Sequence, residues 1–239
     1  MTTFILVHGA WHGAWCWEAT SAWLRDAGHE VWAPTLSDSA ERFGKTGRNI
    51  GLSDHIRDVT HLIDTHDLHD VTLVGHSYAG MVITGVADRR RERVRSIVYL
   101  DAFVPESGQR AADFIPAELN AQALAVVHTK GGGTHLPVIY DAQKFVDFDH
   151  ARSAAFMARL TPQPFFTYLE PIYLVHPPLA LRGYIDCTGA PLGLFGRFAA
   201  QARQDLGWMY QEIASPHDAM LTHPDQLGAL LQSMARSVS

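Results

Sequence analysis

Only two cysteines, Cys16 and Cys187, occur among the 239 residues. Two thiols do not staple a scaffold of this size, and neither has metal-ligand spacing, so a fold held by its own core in a reducing compartment is expected. Positive charge is not in excess either. The formal net charge is −6, which predicts no nucleic-acid surface. The one basic cluster, Arg89-Arg90-Arg91 with Arg93 and Arg95, falls at a helix end ahead of a strand and reads as a solvated C-terminal face. No apolar run approaches the ~20 residues that span a bilayer. The start, Met1-Thr2-Thr3, has neither the basic segment nor the apolar stretch of a signal peptide. These absences predict a soluble, cytoplasmic protein with no membrane partner. Phosphate cradles are missing too. No Lys-Ser/Thr pair follows Gly131-Gly132-Gly133, and His8-Gly9-Ala10 lacks the Gly-x-Gly-x-x-Gly spacing of a dinucleotide turn. No cofactor and no metal are expected.

What is present is a globular composition, 47% hydrophobic and 18% charged, with a repeating strand–helix rhythm. Phe4–Val7 is a continuous apolar run, the mark of a strand buried on both faces. A helix to about Ala27 follows, capped by Gly28, and then a strand at Val31–Ala33. After a polar loop, helical spacing resumes at Ile56, Val59, Leu62 and Ile63. Next come a strand at Val71–Val74, a helix from Tyr78 to about Arg91, and a strand at Val94–Leu100. The stretch from Phe103 to Ala180 breaks the rhythm with its prolines, the triple glycine and two short helical patterns, about 111–127 and 149–160. The rhythm returns with a strand at Gly183–Cys187, a helix at about 194–205, a strand at Trp208–Ile213 and a final helix opened by Pro224. The expectation is one α/β domain over 1–239: a doubly wound, mostly parallel six-stranded sheet with helices on both faces. Residues 105–180 are expected to form a cap inserted after the fourth strand.

Chemistry concentrates at Val74-Gly75-His76-Ser77-Tyr78-Ala79-Gly80. An apolar strand, a glycine, a serine two residues later and small residues behind it make a sharp strand-to-helix turn with the hydroxyl at its apex. Such a serine needs a base, an acid to orient the base, and N–H donors for an oxyanion. His217 follows the last strand across Ala214-Ser215-Pro216 and is the expected base. The backbone N–H groups of Tyr78 and Ala10 are the expected oxyanion donors. The acid stays open between two residues. Asp101 ends the strand beside the elbow and is preferred, while Asp186 lies within the fifth strand. The loop after that strand, Cys187-Thr188-Gly189-Ala190-Pro191, has no carboxylate. His76 is expected to pack beneath the elbow. His55, His61, His66 and His69 are read as solvated helix residues.

These residues resemble the α/β-hydrolase superfamily, and most closely its small cofactor-free branch of plant methyl esterases and hydroxynitrile lyases with their bacterial relatives. The likeness runs through 4–15, Ala27-Gly28-His29, Gly75–Met81 and His217-Asp218-Ala219-Met220. Asp101-Ala102-Phe103-Val104-Pro105 and Leu160-Thr161-Pro162-Gln163-Pro164 are similar to the bacterial subgroup in particular. The resemblance implies a Ser–His–Asp esterase. It departs where plant members carry their acid, at Gly189 and Ala190 here, so the acid would have to come from Asp101. Lyases of the branch carry a threonine where Gly9 stands and a lysine where Asp218 stands, which argues here for hydrolysis.

The expected activity is hydrolysis of a small apolar or aromatic ester, amide or carbamate through an acyl-enzyme on Ser77. Trp11 and Phe103 are expected to flank the substrate. Phe145, Phe148, Phe156, Phe165, Phe166 and Tyr168 would supply a pocket or the cap's own core. Two other readings stand beside this one: a small-ligand receptor that does not turn over, and a hydroxynitrile lyase. A homodimer is compatible with the sequence but not read from it.

Overall fold

The computed structural model describes residues 1–46, 49–190 and 192–236. Pro191, the last residue of the loop after the fifth sheet strand, lies outside the described residues.

The first half alternates strictly: β1 (Thr3–Val7), α1 (Glu18–Asp26), β2 (Glu30–Trp32), α2 (Leu52–Thr65), β3 (Val71–His76), α3 (Ala79–Arg89) and β4 (Val94–Leu100). A different segment intervenes, with α4 (Ala117–Lys130), β5 (His135–Leu136), α5 (His150–Met157), β6 (Gln163–Pro164) and α6 (Phe166–Leu169). Alternation then resumes with β7 (Arg182–Cys187), α7 (Gly196–Gln204), β8 (Trp208–Ile213), α8 (Ala219–Thr222) and α9 (Pro224–Arg236). Six strands form one parallel sheet in the order β2-β1-β3-β4-β7-β8, while β5 and β6 pair antiparallel in a two-residue ladder of their own.

The apolar run of β1 has the physical meaning that a double-sided sheet requires. Phe4 and Leu6 point to one face, where they join Val74, Val98 and Ile185 under Leu24 of α1 and Leu227 and Leu231 of α9. Ile5 and Val7 point to the other, packing with Leu73 and Tyr99 against Ile56 and Val59 of α2 and Val82 and Ile83 of α3. All of these side chains are buried.

Register sets the working edge of the sheet. His76 of β3 pairs with Leu100 of β4, and Leu100 pairs with Ile185 of β7. The next residues along β3 and β4, Ser77 and Asp101, therefore leave neighbouring strands at one level. One expected helix proves to be two pieces. The 111–127 pattern is a single 3₁₀ turn, Ala111–Phe114, and then α4. Pro116 separates them, because the residue before a proline is driven out of the helical region, and Ile115 is extended (φ −100°, ψ 133°).

Candidate active site

Ser77 sits at the β3–α3 junction with φ +58°. A non-glycine residue in that region costs about 1–3 kcal/mol and persists only where its surroundings enforce it. Here the Ser77 N–H donates to the Leu100 carbonyl at 3.1 Å, and its own carbonyl accepts from Gly80 and Phe103 N–H, each at 3.2 Å. Asp101, with φ +41°, holds the matching position at the end of β4, its N–H donating to Ile185 at 2.9 Å. His217 enters on the loop after β8. Its Nδ1 lies 2.5 Å from Asp101 Oδ2, with both side chains buried. Ser77 and His217 line the same cavity. Burial pushes the Asp101 carboxyl above its ordinary range, and the bond to His217 only partly opposes this. Asp186 is not brought to His217. It stays half-buried on β7, where its Oδ2 accepts from the Tyr210 hydroxyl at 2.9 Å.

The two expected oxyanion donors, Ala10 N–H and Tyr78 N–H, have no hydrogen-bond acceptor among the described residues. The peptide plane that carries the Ala10 N–H is fixed from behind. His8 Nδ1 donates to the Gly9 carbonyl at 2.8 Å, and its Nε2 accepts from Leu36 N–H at 3.0 Å. Burial pushes the His8 imidazole down to about 3, so the ring stays neutral in this one tautomer. Gly9 has no room for a side chain. A Cβ there would lie 2.9 Å from the Ser77 Cβ and 2.8 Å from His76 Nδ1. Trp11 follows in the left-handed region (φ +66°), with its indole N–H donating to Leu136 at 2.9 Å.

The histidines divide differently from the sequence expectation. His61, His66 and His69 are exposed, but His55 is fully buried. Its Nε2 donates to the Ser37 carbonyl at 2.9 Å, and its Nδ1 accepts from the Tyr78 hydroxyl at 3.1 Å. The expectation of a solvated helix face fails there because His55 shares the 3–4 spacing of Leu52, Ile56, Val59 and Ile63 and so faces the core. His76 lies under the elbow, its Nε2 donating to the His217 carbonyl at 3.1 Å. Burial, and then neighbouring His217 and His12, push its imidazole well below the ordinary value. His76, His217 and Asp218 bring potential ligand atoms within 4.8 Å of one another. Within this trio His76 Nε2 donates to the His217 carbonyl and His217 Nδ1 is bonded to Asp101.

Trp11 and Phe103 both line the cavity. Of the aromatics after β4 that the sequence singled out, Phe145, Phe165 and Tyr168 line it as well. The others do other work: Phe148 carries the Arg152 guanidinium 3.8 Å above its ring, Phe156 packs on His12 and Phe145, and Phe166 is 49% exposed. Two aromatic cavity residues escaped sequence reasoning. Tyr140 is one, and Phe195 is the other, its ring stacked on the His217 imidazole at 5.1 Å and 4°. The only hint of Phe195 was an aromatic just past a loop already suspected of serving the site. A separate hollow under the return to β7, walled by Asp88, Arg91, Tyr99 and Trp208, contains none of the residues expected to do chemistry.

Residues 4–230 match the model of the "Alpha/beta hydrolase family". The chain is 38% identical to the carbendazim hydrolyzing esterase of Nocardioides sp. (strain SG-4G), over 98% of this chain and 100% of that protein. It is 35% identical to methylesterase 7 of Arabidopsis thaliana, over 43% of this chain and 40% of that protein. Among solved structures, an extracellular alpha/beta-hydrolase from a Paenibacillus species superposes with a TM-score of 0.85 at 27% identity, covering 99% of this chain and 100% of that one. It is described as sharing structural and functional homology with tobacco salicylic acid binding protein 2.

Proposed function

The chain belongs to the alpha/beta hydrolase family and is an ester hydrolase, and from that premise we propose that it cleaves small aromatic esters and carbamates through an acyl-enzyme on Ser77. The observation that carries the reading is the buried 2.5 Å contact between His217 and Asp101, with His217 and Ser77 facing one aromatic cavity. Ser77 Oγ attacks the substrate carbonyl while His217 Nε2 takes its proton. Asp101 holds the Nδ1–H and stabilises the imidazolium. The Ala10 and Tyr78 N–H groups receive the oxyanion, a task for which each such donor is worth roughly 10²–10³ in rate. His217 then protonates the departing alcohol and activates the water that releases the acid.

Residues 105–180 act as the cap over this site, a role supported by the cavity walls that Leu136, Tyr140, Phe145, Phe165 and Tyr168 supply. Flat aromatic substrates suit these walls. A carbamate is favoured within that class by the full-length likeness to an esterase named for carbendazim. Lyase chemistry is disfavoured, since the elbow leaves no space for a threonine at Gly9 and Asp218 stands where a cation is needed. No helix among the described residues is long and apolar enough to cross a membrane. The free, buried Cys16 and Cys187 support a cytoplasmic setting.

The test is steady-state turnover of a panel of aryl esters, amides and methyl carbamates by the wild type and Ser77→Ala. Multiple turnovers that Ser77→Ala abolishes are expected. A single stoichiometric burst without turnover points to a receptor, and full activity in Ser77→Ala refutes the mechanism.

A further inference from the structure

Immediately after His217 stands Asp218, whose side chain is completely buried and plays no part in the mechanism above. Its Oδ2 meets Nε2 of His12 at 2.9 Å, and His12 is itself 1% exposed. The other nitrogen of that ring, Nδ1, meets the Ala10 carbonyl at 2.7 Å. With Asp218 ionised, both partners only accept hydrogen bonds, and the ring then donates from both nitrogens as an imidazolium. Its surroundings agree. Burial works against a charged ring, but the attraction and hydrogen bond of Asp218, with the Ala10 carbonyl, outweigh it and raise the imidazole above its ordinary value. Aromatic rings close the pair off: Trp15 stacks on His12 at 5.4 Å, and Phe145 and Phe156 flank it at 6.1 and 5.8 Å.

A buried ion pair is costly to assemble and seldom a net source of stability, so its placement is what asks for an explanation. The two ends of this bridge are Ala10, whose N–H is the proposed oxyanion donor, and the backbone next to His217, the proposed base. Two histidines grip Ala10, with His8 holding the carbonyl before its N–H and His12 holding its own carbonyl. The far end is tied as well: the Asp218 N–H donates to Phe145 at 2.9 Å, and His76 donates to the His217 carbonyl at 3.1 Å.

We propose that His12 and Asp218 are positioning residues: a buried imidazolium–carboxylate bridge that sets the oxyanion-donor loop at its working distance from the general base. Neither touches substrate. The bridge rests on the reading of Ala10 and His217 given above. Its role is to hold two loops, from opposite ends of the chain, to the sub-ångström tolerance that the transition state demands, because misplacement by about 1 Å costs roughly 10²-fold in rate.

The experiment compares His12→Ala, Asp218→Ala and Asp218→Asn with the wild type. Rates are measured per active site titrated with a serine-reactive aryl phosphonate. The Ala variants are expected to lose about 30- to 100-fold in kcat, with KM changed less than threefold, since the contact is made to the transition state geometry and not to the substrate. Asp218→Asn is expected within about fivefold of wild type. Its amide can donate to a neutral His12 and keep the bridge without the charge. A merely structural pair would lower the titratable fraction and the melting temperature but leave kcat per titrated site intact. That result overturns the proposal, and so does an Asn variant as impaired as the Ala variant. If the Ala variants do not fold, ¹⁵N-histidine NMR of the wild-type protein at pH 7.5 decides. Two protonated nitrogens on His12 are expected, and one overturns the bridge. This measurement is independent of the reaction: full activity in Ser77→Ala would sink the assigned mechanism and leave the ring's protonation standing.

Discussion

Replacing Asp101 by asparagine changes one oxygen to an NH₂ and separates orientation of His217 from everything else the residue does. In the native site Asp101 Oδ2 accepts from His217 Nδ1 at 2.5 Å, and in the proposed mechanism this leaves Nε2 free to take the Ser77 proton. Asparagine can turn its amide and donate to Nδ1, which drives the ring proton onto Nε2, where it blocks the proposed general-base action. Loss of the tautomer and of the imidazolium's counter-charge together are expected to lower kcat by about 10³–10⁴, or about 4–5.5 kcal/mol of barrier. The fold should not suffer. The Asp101 carboxyl is raised mainly by burial, so the folded state holds its proton more tightly than the unfolded chain does. Such a group subtracts from stability as pH rises through its folded value, and at neutral pH a permanently uncharged amide escapes that cost. The assay is hydrolysis of an aryl ester and an aryl methyl carbamate, with thermal melting at pH 7, for Asp101→Asn and Asp186→Asn side by side. Asp186, bound to Tyr210 and not to His217, should keep activity within about threefold when neutralised. An Asp101→Asn enzyme with more than a tenth of wild-type kcat, beside an Asp186→Asn enzyme reduced 10³-fold, would refute the reasoning.

Three further outcomes follow from the same geometry. Gly9→Thr puts a Cβ 2.9 Å from that of Ser77, so kcat/KM for esters should fall at least 100-fold, with no cyanide released from mandelonitrile; activity within tenfold of wild type would contradict the packing. His8 titrates at about 3 when folded and near 6.5 when unfolded, so between those values the unfolded chain binds the extra proton and stability falls as pH drops. Urea unfolding at pH 7 and pH 5 should show the wild type losing about 2 kcal/mol more than His8→Gln over that interval. Phe195→Ala removes a ring that is 3% exposed and stacked on His217; it should cost about 3–5 kcal/mol and lower the melting temperature by about 6–20 °C, measured by calorimetry.

Much of this was legible before any coordinates. The sheet was readable because a strand with both faces covered is apolar almost throughout: Phe4–Val7 is, and Val71–Val74 is but for Thr72, whose hydroxyl pairs with that of Ser96 at 3.0 Å. The elbow was readable because few residue sets satisfy a left-handed serine between a strand and a helix. What escaped was mostly non-local. Nothing in the sequence around Phe195 tells that its ring lands parallel to an imidazole 22 positions later. The bridge from His12 to Asp218 joins residues 206 positions apart, and only the closed sheet brings them together. His55 is a different case. Its place in the apolar stripe of α2 was visible, and its polarity concealed that a buried imidazole can be fully satisfied by a carbonyl and a phenol.

The location of the proposed acid has a structural cause. The resemblance to the plant enzymes implies a carboxylate in the loop after the fifth strand, where Gly189 and Ala190 stand here. That loop is zipped onto the loop leading to His217: Gly189 N–H donates to the Ser215 carbonyl at 2.9 Å, and Ala190 bridges to Pro216. A Cβ at 189 would lie 2.8–3.0 Å from the Ser215 backbone, so no side chain fits there without parting the two loops. The same zipper draws the His217 loop down over the ends of β7 and β4, and β4 is the strand between the elbow and β7. An acid for His217 can then come from the end of β4. It needs a residue that turns its side chain toward the loop, and the left-handed backbone of Asp101 (φ +41°), anchored by its N–H on Ile185, supplies that turn. Chain order still runs serine, acid, histidine, so the fold accommodates the move without rearranging a strand. Loosening the zipper should therefore not restore the plant arrangement. Gly189→Asp is expected to disrupt the His217 loop and lower activity even with Asp101 intact, and Gly189→Asp combined with Asp101→Asn is expected to stay as inactive as Asp101→Asn alone. Ester hydrolysis by the double variant above a tenth of the wild-type rate would show that a carboxylate at 189 can reach His217 after all.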